Sequence, residues 1–463
     1  MTPHTKGRLL GSLAIAGGLG LGVVFGFLLF RSGTNSSTAL FGGPIPRHGF
    51  YTASGAMGLD PILSKSNLED RNPSIALDKN NHPYVVWSVL ASPTADTADI
   101  FFTRWNGSNW VGMSGSSADN LSSPQGALDI TKDIAPQIKL DNSGNPYVLW
   151  TLETGSGKKF LLSHYDGTKW TGLIDQTGKP DTVTTVGNSL IKDFAVDGQG
   201  RPAVVFDEQN GNSSDVYLVR FDGSKYSGYI DPTRDLLTFG THEDFVSAPT
   251  VRFASGPNVS NQSAIILFKD EIQSSPETGT IYLRMWDPTT RSYKGLKDQQ
   301  GDRVLTSDFL QDLVLSLDAS GGPQIAYSVA DMYNFSIPAA AKFVHWNGSG
   351  YVGNLGPNPD IIREERRTTR VVNLGALNSN RSDKPYFLLL SHDLTPPSGF
   401  QVLIMRWDGT QYVGLDSNSP TVVPIPTMPV DLGMELDTLN RPNITGMQFG
   451  SNYFGDVFFT HWL

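Results

Sequence analysis

Cysteine is absent from this chain of 463 residues, and charged residues make up only 17% of it. Without cysteine there are no disulfide bonds, so the stability of the fold must come from packing. No long stretch shows the apolar spacing of an amphipathic helix. Together with 48 glycines and 29 prolines, these absences predict a turn-rich all-β protein.

Positive charge is also scarce. Lys6, Arg8 and Arg31 flank an apolar segment near the N-terminus, and without them 32 basic residues stand against 45 acidic ones. The remaining net charge of −13 argues against nucleic acid or anionic lipid headgroups as partners.

A motif recurs about every 60 residues along the chain. An apolar run ends in Asp, a turn rich in Gly, Asn and Pro follows, and a second apolar run opens with Pro. The first copy is Pro73-Ser-Ile-Ala-Leu-Asp78 followed by Pro83-Tyr-Val-Val-Trp87. The copies begin near Pro73, Pro136, Leu190, Pro249, Gln311, Val371 and Pro429. The sequence therefore predicts seven structural units.

Each unit carries the signals of four antiparallel strands, predicted in the first unit at 73–78, 83–87, 99–105 and 109–113. Asn-Gly or Asp-Gly separates the third and fourth strands at Asn106, Asp166, Asp222, Asn347 and Asp408, which indicates tight hairpins. Sheets that are apolar on both faces are buried by stacking around an axis. We therefore predict a seven-bladed β-propeller of four-stranded antiparallel blades over residues 48–463.

The two ends of the propeller suggest how the ring closes. The last unit stops at Leu463, where the other units begin their final hairpin. Segment 49–61 resembles the fourth-strand region 223–232, so we expect an N-terminal strand to complete the last blade. The alternative is that 49–61 is only a linker.

The N-terminal region predicts a membrane anchor. Residues 9–30 are apolar and uncharged, which is long enough for one transmembrane helix. The flanking charges place residues 1–8 in the cytoplasm and the propeller outside the cell membrane, with 31–47 as a flexible tether. The alternative is a signal segment and a secreted protein. Gly18, Gly22 and Gly26 share one helix face, which suggests a dimer contact.

The two faces of the ring differ in their loops. Turns between first and second strands repeat from unit to unit, whereas loops between second and third strands vary, and function concentrates in variable loops. The variable loops carry Tyr333, Phe335, Tyr453 and Phe454, beside amides that suit sugar rings. The alternative is that these aromatic residues pack on the blades beneath them.

Charged residues recur on the same variable face. Acidic residues follow second strands or precede first strands at Glu153, Asp207, Glu208, Asp270, Glu271, Asp331, Asp393, Asp70, Asp133, Glu243, Asp244 and Asp308, with His392 beside Asp393. Such carboxylates could ring the mouth of the central channel, where they could hold a cation or, as a pair, cleave a glycosidic bond. The alternative is that they are solvated loop ends. Arg366 and Arg367 belong to a basic cluster that could hold an anionic ligand group, or pair with Glu364 and Glu365.

No cofactor and no metal site is predicted. The Asp residues that close first strands, such as Asp78 and Asp141, could ligate a metal. We expect each of them instead to accept backbone N–H groups within its own turn.

The repeated unit resembles those of exported sialidase-like propellers. The resemblance is carried by Pro-x-Ile-x-Leu-Asp-x-x-Gly-x-Pro-x-Val-x-Trp and by the Asn/Asp-Gly hairpins, and it covers residues 49–463. No segment matches a full Asp-box, Ser-x-Asp-x-Gly-x-Thr-Trp, so the resemblance implies an architecture and not an activity. We expect a binding module for glycans or a surface protein. The alternatives are a glycoside hydrolase or lyase, and a structural scaffold.

Overall fold

Every regular element that the computed structural model describes is a β-strand. The structure describes residues 50–53, 68–90, 97–123, 131–187, 189, 191–211, 213–238, 245–254, 263–272, 278–330, 338–365, 370–379, 384–393, 399–425, 429–449 and 455–463. Within these ranges, no helix is long and apolar enough to cross a membrane. The predicted anchor at 9–30, the tether at 31–47 and the glycine face at Gly18, Gly22 and Gly26 all lie outside them.

The strands follow the predicted repeat. A short strand β1 (Phe50–Tyr51) comes first. The first two repeats contain β2 (Glu69–Leu77), β3 (Pro83–Leu90), β4 (Ala98–Trp105), β5 (Trp110–Val111) and β6 (Asp119–Asn120), then β7 (Lys132–Leu140), β8 (Pro146–Thr154), β9 (Gly157–Tyr165), β10 (Trp170–Thr171) and β11 (Asp181–Val186). The next two contain β12 (Ile191–Val196), β13 (Pro202–Asn210), β14 (Ser213–Phe221), β15 (Tyr226–Ser227) and β16 (Asp235–Leu236), then β17 (Phe245–Phe253), β18 (Ala264–Ile272), β19 (Thr278–Asp287), β20 (Ser292–Lys294) and β21 (Asp302–Asp308). The last three contain β22 (Leu310–Leu317), β23 (Pro323–Val329), β24 (Ala339–Trp346), β25 (Tyr351–Val352) and β26 (Asp360–Glu365), then β27 (Arg370–Ser379), β28 (Pro385–Asp393), β29 (Gly399–Trp407), β30 (Tyr412–Val413) and β31 (Thr421–Val423), then β32 (Pro429–Leu436), β33 (Pro442–Phe449) and β34 (Gly455–Trp462).

The outer edge of each repeat differs from the prediction. In the first repeat the expected fourth strand at 109–113 is only the two-residue strand β5, and the remaining edge of β4 pairs with β6. Two short strands replace one long strand because the chain leaves the sheet in a turn after Gly112 and returns at Asp119.

The described strands form five hydrogen-bonded sheets, so the prediction of seven separate blades is wrong. Repeats one and two share one ten-stranded sheet, and repeats three and four share a second ten-stranded sheet. The cause is a single parallel bridge in each case, Ala98 to Lys132 and Ser214 to Phe245, where a third strand begins beside the next first strand. The remaining sheets contain five, five and four strands.

The repeats are arranged as a β-propeller. The first strands of successive repeats lie against each other, from β2 through β7, β12, β17, β22 and β27 to β32, and β32 contacts β2 again. Most of these strands contain a β-bulge, with positive φ at Asn72, Ala135, Ala248 and Asp431. Second strands such as β3 are buried at every position, because neighbouring repeats pack on both of their faces.

The predicted closure by the N-terminal segment is confirmed. Strand β1 pairs antiparallel with β34, with Phe50 opposite Trp462 and Tyr51 opposite His461. Two side-chain contacts also join the first and last repeats. Asn72 donates to Asp431 at 3.1 Å, and Asn81 donates to Thr438 at 2.9 Å.

The role predicted for the Asp residues that close first strands is also confirmed. Asp78 Oδ1 accepts the backbone N–H groups of Asn80 and His82, each at 2.8 Å. The same pair of bonds recurs at Asp141, Asp197, Asp318 and Asp437. These carboxylates therefore stabilise turns.

A second set of aspartates, which was not predicted, joins neighbouring repeats. In five repeats a buried Asp accepts backbone N–H groups of the turn before it and a side-chain donor from the fourth strand of the next repeat. The pairs are Asp119 with Trp170, Asp181 with Tyr226, Asp235 with Tyr293, Asp302 with Tyr351, and Asp360 with Tyr412. We call these five residues the anchor aspartates. They explain why the fourth strands of repeats two to six each carry an aromatic residue.

Candidate functional site

The variable-loop face, defined as the face with the loops between second and third strands, was the predicted site. The aromatic residues Tyr333, Phe335, Tyr453 and Phe454 and the arginines Arg366 and Arg367 lie outside the described residues. The backbone of His392 pairs with Val371 and Phe400 near the end of β28, so this residue does reach that face. Only Asp207 and Asp270 among the predicted site residues have described side chains.

Asp207 lies near the end of β13, where its side chain is 17% exposed. Lys192 Nζ is 3.4 Å from Asp207 Oδ2. Burial raises the pKa of Asp207, although Lys192 and the backbone amide of Ala248 act against this rise. The next residue, Glu208, points to the other side of the strand, where it pairs with Arg234 at 2.6 Å. Asp207 thus occupies a position where a carboxyl group keeps its proton to a higher pH than usual.

Asp270 is a partly buried residue in β18, the second strand of the following repeat. Its backbone pairs with Val246 on one side and Thr280 on the other. Burial and then the charge of Asp270 raise the pKa of Tyr282. Its neighbours in sequence form an ion pair, with Lys269 Nζ 2.6 Å from Glu271 Oε1. Asp207 and Asp270 therefore belong to separate strands with separate partners.

Other acidic residues predicted at the channel mouth have defined structural partners. Asp70 accepts the indole N–H of Trp87 at 3.1 Å, and Asp133 accepts that of Trp150 at 2.6 Å. Both Asp residues are buried, so they are not solvated loop ends. Each precedes its Trp by 17 residues, and this repeated spacing is a signal that the sequence contains.

Glu153 is the centre of a three-residue ion pair on the variable-loop face. Lys132 Nζ lies 2.8 Å from Glu153 Oε2, and Lys158 Nζ lies 3.0 Å from Oε1. Burial alone would raise the pKa of Glu153, but hydrogen bonds from the two lysines outweigh it and lower the pKa. Glu153 is therefore charged and holds both ammonium groups in fixed positions.

A depression lies on the outer edge of the third repeat. It has a volume of about 400 Å3 and is lined by Tyr217, Ile230, Arg234 and Leu236 among others. The Arg234 guanidinium lies 4.0 Å from the centre of the Tyr217 ring, and Phe206 stacks on that ring at 5.7 Å. The same guanidinium lies 5.8 Å from the centre of the Phe206 ring, so the three side chains pack on one another.

A cluster of four charged residues and one asparagine in the first strands was not predicted. It consists of Lys139, Asp193, Arg252, Asn378 and Glu435, and we call it the channel cluster. These residues come from β7, β12, β17, β27 and β32, five of the seven first strands in the ring. Four of them occupy equivalent positions in their repeats. Each is opposite the second residue of the neighbouring strand β8, β18, β28 or β33, and the four residues are Lys139, Arg252, Asn378 and Glu435.

Hydrogen bonds fix part of the channel cluster. Asp193 Oδ2 contacts the Arg252 guanidinium and accepts Thr250 Oγ1 at 2.6 Å and the Val251 amide at 3.1 Å. Asn378 Nδ2 donates to the Met434 carbonyl at 2.6 Å. Both sets of bonds run from one repeat to the next.

The two acids of the channel cluster have opposite pKa shifts. Burial would raise the pKa of Asp193, but Arg252 and then Lys139 outweigh it and lower the pKa. For Glu435 burial dominates and raises the pKa, although Lys139, Arg252 and the Asn378 amide act against the rise. Asp193 is therefore the charged acid, and Glu435 is the acid that takes up a proton more readily.

We expect Glu435→Gln to stabilise the protein at pH 8. Because the pKa of Glu435 is raised, the folded state binds its proton more tightly than the unfolded chain does. In the native protein the bound proton therefore stabilises the fold fully below the unfolded pKa, and this contribution is lost as the pH rises through the folded pKa. Glutamine removes the buried charge, so the variant should have a higher urea midpoint than the native protein at pH 8. This difference should vanish in acid, where native Glu435 is protonated in both the folded and the unfolded state. Asp416→Asn, at an exposed position, is the control. A variant less stable than the native chain at pH 8 would contradict this assignment.

The architecture is shared with polysaccharide lyases of known structure. An ulvan lyase of polysaccharide lyase family PL25 matches with a TM-score of 0.50 and 11% identity, over 87% of this chain and 95% of the lyase. The polysaccharide lyase Uly1 matches with a TM-score of 0.52 and 9% identity, over 84% of this chain and 89% of the lyase. At these identities the likeness shows the fold alone.

A sialidase of known structure matches less closely. The NanB sialidase from Streptococcus pneumoniae matches with a TM-score of 0.39 and 11% identity, over 87% of this chain and 70% of the sialidase. The sequence matches no protein-family model and no curated protein.

Proposed function

We propose that the propeller binds glycans through its variable-loop face. The observation that carries this proposal is the set of ion pairs that hold charged side chains in place there. Lys132 and Lys158 are fixed on Glu153. An ammonium group has three N–H donors and each ion pair uses only part of them, so the remaining donors keep a set direction. Sugar hydroxyls are bound well by such pre-oriented donors and acceptors.

The predicted residues of the variable loops extend the same proposal. Tyr333, Phe335, Tyr453 and Phe454 would stack on the apolar faces of sugar rings, and Arg366, Arg367 and His392 would bind polar substituents. A surface protein is the other ligand class that such a face suits. The two polysaccharide lyases with this architecture make polysaccharides the first ligands to test.

We expect the double variant Lys132→Gln/Lys158→Gln to weaken binding to a polysaccharide about tenfold, which corresponds to about 1.4 kcal/mol. The full chain in detergent would be screened on an array of neutral, uronate-containing and sulfated polysaccharides. Lys225→Gln, at an exposed position in a hairpin on the opposite face, is the matched control. Equal binding by the double variant and the control would contradict the assigned face, and no binding to any glycan would favour a protein ligand or a scaffold.

A glycoside hydrolase or lyase is the second candidate function. Asp207 favours it, because a partly buried carboxyl group with a raised pKa is suited to proton transfer. Release of reducing ends from a polysaccharide, abolished by Asp207→Asn or Asp270→Asn at unchanged stability, would establish an enzyme. Binding without product release would support the binding module.

We also propose that residues 9–30 anchor the protein in the cell membrane, with the propeller outside. This rests on the apolar sequence and its flanking charges. Release of the protein from membranes by alkaline carbonate would contradict the anchor and support a secreted form.

A further inference from the structure

The channel cluster contains one cation without a partner in the part of the chain that the structure describes. Arg252 has partners, because Asp193 and the Val251 carbonyl accept N–H groups of its Nη1 atom. No described residue makes a hydrogen bond or ion pair with Lys139. Its charge acts on Asp193 and Glu435 only through space. We propose that the channel cluster binds one small oxyanion, a sulfate or a carboxylate group, with Lys139 as its principal cationic partner.

The charge of the cluster supports an anion. Arg252 and Asp193 neutralise each other, so Lys139 and Glu435 decide the net charge. When Glu435 carries a proton, the cluster has a net charge of +1 and its carboxyl O–H becomes a further donor. Walls of low dielectric constant strengthen the field of an unpaired charge inside a channel. An oxyanion would then meet an ammonium group and neutral donors.

The size of the side chains also supports a ligand. The remaining three positions at this level of the first strands are occupied by small residues, Ala76, Ala195 and Ser316, which pair with Tyr84, Ala203 and Gln324. Small and long side chains therefore alternate around much of the ring. Lys139, Arg252, Asn378 and Glu435 are all partly exposed, so solvent reaches them.

A cation suits the cluster less well. Asp193 is the charged acid, and Arg252, Thr250 and the Val251 amide already bind its Oδ2 atom. Within the described ranges no group of three His, Asp or Glu residues comes together to ligate a metal. Lys139 would moreover repel a cation at this level of the channel.

Binding should depend on the protonation of Glu435. The groups that face Glu435 are Lys139 from β7, Arg252 from β17 and the Asn378 amide from β27, with Asp193 of β12 beyond Arg252. Burial raises the pKa of Glu435. We therefore expect tighter anion binding at pH 5 than at pH 8. Glu435→Gln should bind with the same affinity at both values.

The test is calorimetric titration of the full chain with sodium sulfate and with sodium acetate, at constant ionic strength set by sodium chloride. We expect saturable binding of one anion, weakened at least tenfold by Lys139→Met and unchanged by Lys225→Gln. Equal binding by Lys139→Met and the native chain would overturn the proposal. A heat that rises without saturation as sulfate is added to every variant would also overturn it, because such a response is a general salt effect.

Two further arms complete the experiment. Thermal unfolding of Lys139→Met checks that the variant is folded, and Lys139→Arg, which keeps the charge, should restore binding. A sulfated oligosaccharide compared with free sulfate distinguishes an anion in solution from a group carried by a glycan. Failure of glycan binding at the variable-loop face would leave the sulfate titration unaffected, because the two sites use different residues.

Discussion

Replacement of Asp235 by alanine is expected to lower the free energy of unfolding by about 3–5 kcal/mol. Asp235 is an anchor aspartate with only 3% of its surface exposed. It accepts the amides of Tyr229, Ile230 and Asp231 at 2.5, 2.9 and 2.9 Å, and the Tyr293 hydroxyl at 2.7 Å. Alanine would leave these donors without their acceptor, both within the turn and between two repeats.

The variants around Asp235 separate the turn from the contact between repeats. Tyr293→Phe removes only the hydroxyl and should cost about 1 kcal/mol. Asp231→Ala changes a more exposed acid of the same turn and serves as the control for lost charge. Unfolding in urea can be followed through Trp286, which stacks on Tyr229 at 4.4 Å. If the free energy of unfolding of Asp235→Ala were within about 1 kcal/mol of that of the native chain, water would have replaced the carboxylate as the acceptor.

The anchor aspartates could have been predicted from spacing. Gly112, Gly228, Gly295 and Gly353 each precede an anchor aspartate by seven residues. A Cβ atom on Gly228 would lie 2.2 Å from Asp235 Oδ1, so the turn requires glycine. The sixth repeat places Thr421 in the same role, where its hydroxyl accepts the Leu415 amide at 2.7 Å. These positions lie in segments that look like simple connections, and only the closed ring reveals the aromatic partner.

The strands themselves were predictable because the same pattern of apolar and turn residues recurs from repeat to repeat. The run from Pro83 to Trp87 and its copies locate the second strands, and Asn-Gly or Asp-Gly locates the hairpins. The merging of repeats into shared sheets was not predictable, since one bridge such as Ala98 to Lys132 depends on the exact path of a loop. A period in the sequence therefore predicts the strands within each repeat, but it does not predict which strands of neighbouring repeats form hydrogen bonds.

The candidate site was predictable only in part. The acidic residues of the variable-loop face were identified, but their partners were not, because a lysine such as Lys158 can reach Glu153 only after β8 and β9 have paired. The channel cluster was missed for a related reason. Lys139, Arg252 and Glu435 are single charges in separate repeats, and they form a group only when the first strands meet at the axis.

Removal of the N-terminal closing strand is the second change expected to have a large effect. A chain that begins at residue 54 loses β1 together with Thr52, which is buried, and Ala53, which packs against the cluster of Ile75, Trp87 and Phe459 between the first and last repeats. The lost hydrogen bonds and apolar contacts should cost about 2–4 kcal/mol. In addition, β34 would become an open edge strand that can pair with another molecule.

A chain that begins at residue 49 is the matched control, because it lacks the same N-terminal region but keeps β1. We expect the shorter chain to show a lower unfolding midpoint and concentration-dependent association in light scattering, and the control to remain unchanged. A peptide of residues 49–61 added to the shorter chain should reverse both effects, since it can occupy the free edge of β34. If the two chains were equally stable and equally monomeric, the pairing of Phe50 with Trp462 would contribute nothing to closing the ring, and contacts such as Asn81 with Thr438 would have to hold it.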